Sequence, residues 1–92
     1  MARITQKQIE VMLDLVKIEA ALASVTKPEQ FRVMNPNGYS TSSYKALVWL
    51  DPENGSTTQN TELGYHSWDS NKEIIAGLRG IHNGLRTANN LR

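Results

Sequence analysis

The sequence predicts an α+β fold: helix, three-stranded antiparallel meander, helix (αβββα), with both helices on one face of the sheet. Three observations predict it. Helix-start signatures at Thr5 and Ser70 open two segments of helical periodicity, aromatic and β-branched runs fill the stretch between them, and asparagine-containing turns divide that stretch into three strands.

The first helix is expected over residues 5–24. Thr5 followed by Gln8 has the spacing of a capping box, and Ile4 with Ile9 can form the hydrophobic staple. Ser-Val-Thr-Lys-Pro then breaks the helix, because Pro28 disfavours a helical residue before it. The helix carries two apolar faces. Ile9, Met12, Leu13, Val16, Ala20 and Ala23 form one; Val11, Leu15, Ile18 and Leu22, spaced four, three, four as in a coiled-coil seam, form the other. One face packs on the sheet, and the second covers either more of the chain's own core or another subunit.

Strands are expected over residues 31–34, 39–50 and 57–65. Asn35-Pro36-Asn37-Gly38 has the residue types of a tight turn, and Asn54-Gly55 marks a second reversal. The run Tyr44-Lys45-Ala46-Leu47-Val48-Trp49-Leu50 is apolar on both faces, which places it in the middle of the sheet. Thr57 to Tyr65 is more polar and belongs nearer an edge. Two helices on one side cover only one sheet face, so if the Leu47/Trp49 face is the open one, it is an apolar patch of the type that marks an interaction site.

Ser70 with Glu73 opens the last helix, expected over residues 70–90, whose stripe Ile74, Leu78, Ile81 and Leu85 should face the sheet. Beside it runs a strip with almost no side chain: Gly77, Gly80, Gly84 and Ala88. A mid-helix glycine costs roughly 1 kcal/mol relative to alanine, so three call for a compensating contact. Close approach of the first helix is the expected one. Trp68, just before the helix, either extends the aromatic surface or locks this helix to the sheet.

The chain is 92 residues long with ten basic and nine acidic residues, so no global positive field drives its associations. From Asp51 to Asp69 the full charges are all acidic, whereas from Ser70 onward Lys72, Arg79, Arg86 and Arg92 face only Glu73. There are no cysteines, which excludes disulfides and thiolate metal sites. The opening residues lack the apolar run of a signal peptide or membrane span, so a soluble, cytoplasmic protein is expected.

Nothing in the sequence points to catalysis. His66 and His82 lack metal-ligand spacing, the serines lie outside any nucleophile motif, and Gly77 and Gly80 fall inside a helix rather than in a phosphate-cradling loop. No cofactor and no metal are expected, and the chain reads as a non-enzyme. Two surfaces remain. Val11, Leu15, Ile18, Leu22, Leu47 and Trp49 are the candidates for self-association, a dimer above all, or for a protein partner, as in a small accessory, adaptor or inhibitor protein. The alternative is nucleic-acid, nucleotide or phosphorylated-ligand binding. Lys72, Arg79 and Arg86 recur every seven residues with Asn83 beside them, and Trp49, Tyr65 or Trp68 would supply stacking.

Phe31, the turn at Gly38, Tyr44 and the helix start Ser70-Asn71-Lys72-Glu73 occupy positions that, together with the element order, resemble the double-stranded RNA-binding domain. The resemblance spans most of the chain and implies the αβββα fold. That family's turn histidine has no counterpart here and its lysine cluster is reduced to Lys72, so the resemblance stops at the fold.

Overall fold

A computed structural model describes residues 3–35, 44–64 and 66–91. The Asn35-Pro36-Asn37-Gly38 turn, the expected start of the second strand at residues 39–43 and Tyr65 lie wholly or largely outside the described residues. The order is α1 (Gln6–Leu22), a 3-10 turn (Pro28–Gln30), β1 (Phe31–Met34), β2 (Ala46–Leu50), β3 (Thr57–Gln59) and α2 (Asn71–Asn90). The three strands form one antiparallel sheet in the order β1-β2-β3, with both helices packed on the same face.

α1 starts where the sequence places it. The Thr5 hydroxyl accepts from the Gln8 backbone N–H at 3.2 Å, and the Gln8 side chain accepts from the Thr5 N–H at 2.7 Å, so two orphan donors of the first turn are satisfied. The helix ends in a Schellman turn: Val25 N–H donates to Ala20 O and Ser24 N–H to Ala21 O, with Ser24 at φ 61°. Lys27, at φ 47°, then leads into the turn that begins at Pro28.

The sheet register pairs Phe31 with Trp49 and Val33 with Leu47, which puts these four side chains on one face. That is the face the helices cover. Phe31 and Leu47 lie fully within the core with Ile9, Leu13, Val16 and Ala20 of α1 and Ile74 and Leu78 of α2, while Val33 and Trp49 pack at its margin. On the other face Ala46 and Val48 are also fully buried.

β3 is shorter than the expected run to Tyr65. Asn60 ends it: its backbone N–H donates to Leu47 O, its side-chain oxygen accepts from Leu63 N–H at 3.2 Å, and the buried side chain turns the chain away from the strand direction. Gly64, at φ 95°, continues the turn. Trp68 then returns to the sheet, exchanging two backbone hydrogen bonds of 2.8 Å with Lys45, just ahead of β2.

At the start of α2 the Ser70 hydroxyl accepts from Glu73 N–H at 3.2 Å, as expected of the cap. The reciprocal half differs: the Glu73 carboxylate takes the N–H of Asp69, one residue earlier than the cap itself. Among the described residues, no helix is long and apolar enough to cross a membrane.

Candidate interaction surface

The two helices lie side by side and run parallel. At one end the Asn71 amide donates to Ile4 O at 3.2 Å; at the other the Asn89 amide donates to Glu19 O at 3.0 Å and to the Glu19 carboxylate at 2.9 Å. These two ties set Arg79 about level with Val11 and Arg86 about level with Ile18.

The 3.6-residue turn sorts the α1 side chains into opposite faces. Ile9, Leu13, Val16 and Ala20 point into the core, and Val11, Leu15, Ile18 and Leu22 emerge on the far side, 53, 41, 57 and 60 % exposed. The second apolar face of α1 is therefore not internal core. It is the outer ridge of the helical layer, bordered on one side by the Lys17–Asp14 pair at 3.9 Å.

Leu47 and Trp49 lie on the helix-covered face of the sheet, not on an open one. Leu47 is 1 % exposed beneath the helices, because the sheet turns this face, not the opposite one, toward α1 and α2. Trp49 packs its ring against Phe31 with centroids 6.4 Å apart and donates its indole N–H to Thr26 O at 2.7 Å, anchoring the segment after α1. It also lines a cavity of about 190 Å³ with Thr26, Lys27, Gln30, Asp51, Ser56 and Thr58.

Lys72, Arg79, Asn83 and Arg86 are exposed on α2. Lys17–Asp14 is the only ion pair among the described residues, so the three cations of α2 have no carboxylate partner there. Trp68 does not stand with them. It is 7 % exposed, stacks on His66 at 4.9 Å, and packs against Gly77, which lies about 200° around the helix from Arg79. Of the expected stacking residues, Trp68 is therefore on another side of α2 from the cations, and Tyr65 is outside the described residues.

What adjoins Lys72 and Arg79 instead is largely apolar, and what adjoins Arg86 is largely polar. Lys72 and Arg79 line a cavity of about 420 Å³ with Ile4, Gln8, Ile75 and Ala76. Arg86 lines another, of about 320 Å³, with Glu19, Leu22, Asn89 and Asn90. On the α1 side the first cavity is bordered by Ile4 and Gln8 and the second by Glu19 and Leu22; Leu22 is the ridge residue that reaches them, while Ile18 lines a separate cavity with Lys17, Ala21, Pro28 and Glu29. The sequence disclosed both rows, but not their register along the helix pair, which depends on the Asn71 and Asn89 contacts to residues about seventy positions away in sequence.

Among the described residues no group of three or more histidine and carboxylate side chains is placed to hold a metal ion. The class that fold and surface define is a small two-layer αβββα domain with an exposed helical ridge. No family model, no curated protein and no solved structure matches the chain.

Proposed function

We propose that this protein is a non-enzymatic interaction module, of accessory, adaptor or inhibitor type, that binds a protein partner through the outer face of α1. The observation that carries the reading is the ridge itself: four large aliphatic side chains, each at least 41 % exposed, aligned along one helix opposite its core face. Single exposed aliphatics are ordinary on protein surfaces, whereas a contiguous row marks a contact site.

Affinity capture from the lysate of the protein's own host cells tests the proposal, with Leu15→Asp as the comparison. Proteins retained by the native chain should be lost by the variant while its circular dichroism stays unchanged. Equal retention by both would overturn the reading.

Self-association through the same ridge is the second reading, favoured by its four, three, four spacing, which is that of a helix seam. Sedimentation equilibrium at tens of micromolar decides it. A mass that rises with concentration in the native chain and falls to the monomer in Leu15→Asp supports a dimer.

A further inference from the structure

Near the tip of the β2–β3 hairpin the sheet carries a corner beyond the reach of the two helices. Trp49 pairs with Thr58 across the strands, and Asp51 N–H donates to Ser56 O at 2.9 Å. Strand alternation therefore brings Trp49, Asp51, Ser56 and Thr58 to one side of the sheet, the side that α1 and α2 cover further along. α1 has ended at Leu22, and the segment after it closes this corner, held by the Trp49 indole N–H on Thr26 O at 2.7 Å. Between hairpin and segment lies the cavity of about 190 Å³, to which the segment adds Thr26, Lys27 and Gln30.

The walls of this cavity carry both charges and several groups that donate and accept. Lys27 and Asp51 line it together but form no ion pair, and one carboxylate oxygen of Asp51 accepts from Glu53 N–H at 2.8 Å, leaving the other as an acceptor. Among the described residues the side chains of Lys27, Gln30, Ser56 and Thr58 make no hydrogen bond or ion pair. Trp49 has its one donor engaged by Thr26, so it offers a ligand only the carbon surface of its ring. Lys27 reaches the site from a backbone at φ 47°, a left-handed conformation that a lysine keeps only under constraint.

We propose that this cavity binds a single neutral pyranose ring. A sugar hydroxyl both donates and accepts, which matches walls of hydroxyls, an amide, one ammonium and one carboxylate, and the C–H face of the ring matches the indole. A net anion would meet Asp51, and a net cation would meet Lys27. An aliphatic amino acid would satisfy that charge pair, but its side chain offers no partner to the hydroxyls of Ser56 and Thr58. At about 190 Å³ the cavity is smaller than the roughly 300–1,000 Å³ of sites for drug-sized ligands, which limits the occupant to one ring. The site is separate from the α1 ridge and stands or falls independently of it.

Titration of the isotopically labelled protein with methyl glycosides of glucose, galactose, mannose and N-acetylglucosamine, followed by amide chemical shifts, tests the site. At least one glycoside should shift the amides of Lys27, Ser56 and Thr58 saturably at millimolar concentration. Thr58→Val, which keeps a strand-forming shape and removes the hydroxyl, and Asp51→Asn, which keeps an acceptor for Glu53 and removes the charge, should each weaken that binding at least fivefold. Lys27→Gly should weaken it as much while melting no lower than the native chain, because glycine adopts φ 47° without strain. Leu15→Asp, on the ridge, should bind the glycoside as the native chain does. No saturable shift at tens of millimolar from any of the four glycosides, or undiminished affinity in all three cavity variants, would overturn the proposal. Saturable binding of L-alanine in place of the glycosides would make this a zwitterion site and overturn it equally.

Discussion

The indole of Trp68 occupies the space in which a side chain on Gly77 would begin: a Cβ built there stands 2.5 Å from three atoms of the ring. That contact, not the approach of α1, is what the first glycine of α2 allows. α1 lies along the other flank, where Asn71 and Asn89 reach it. Gly80 and Gly84 have nothing within 4 Å of a built Cβ, so the glycine strip has one packed member and two open ones.

The three glycines should therefore respond to alanine with opposite signs. Gly77→Ala displaces the Trp68 ring, and overpacking of this kind costs about 1–3 kcal/mol, more than the roughly 1 kcal/mol of helix propensity returns. Gly80→Ala and Gly84→Ala gain that propensity with no clash, so each should stabilise by about 0.5–1 kcal/mol. Urea denaturation of the three single variants checks the pattern, and a stabilised Gly77→Ala would contradict the packing.

Asn89 is a second contact that only an amide can make. Its nitrogen donates to both the backbone oxygen and the carboxylate of Glu19. In Asn89→Asp the donor is lost and a second carboxylate faces the first, so the α1–α2 pairing should weaken by about 1–3 kcal/mol, the cost of a half-buried acceptor left without its donor. The double variant Glu19→Gln, Asn89→Asp restores a donor and removes the repulsion, and should recover part of the loss. Thermal melts of the two variants measure it.

Ser24 holds the left-handed position of the turn that ends α1, at φ 61°. An L-residue other than glycine or asparagine is strained there by roughly 1–2 kcal/mol. Ser24→Gly should relieve part of that strain and raise stability by about 0.5–1 kcal/mol after the added freedom of the unfolded chain is counted. A fall in the denaturation midpoint would show that the serine side chain contributes more than the strain costs.

The parts of the fold legible in the sequence are those set by near neighbours. Thr5 with Gln8, Ser70 with Glu73 and the Asp51 to Ser56 reversal each close within a few residues, and the helices begin and the strands turn at these points. The parts that were not legible depend on distant pairing. The alternation along β2 separated Leu47 and Trp49 from Ala46 and Val48, but strand periodicity is the same whichever face the helices choose, so it left the covered side open. The early end of β3 follows from burying Asn60, a polar residue whose place inside comes from its bonds to Leu47 and Leu63. At the interaction surface the outer ridge of α1 was visible in its spacing. The level of the α2 cations along it was not, because the step that sets Arg79 about level with Val11 is fixed by contacts across most of the chain.

An exposed ridge kept for binding should tolerate polar substitution, whereas a ridge that completes the core should not. Leu15→Gln and Ile18→Gln, at positions 41 and 57 % exposed, should change stability by no more than about 0.5 kcal/mol, the range of ordinary surface substitutions. Leu78→Ala, at a fully buried position, should cost about 2–5 kcal/mol by leaving a cavity beneath the helices. Guanidinium unfolding of the isolated protein separates the two groups. A large loss in Leu15→Gln would mean that the isolated chain already covers its ridge, and the partner would have no apolar surface to take.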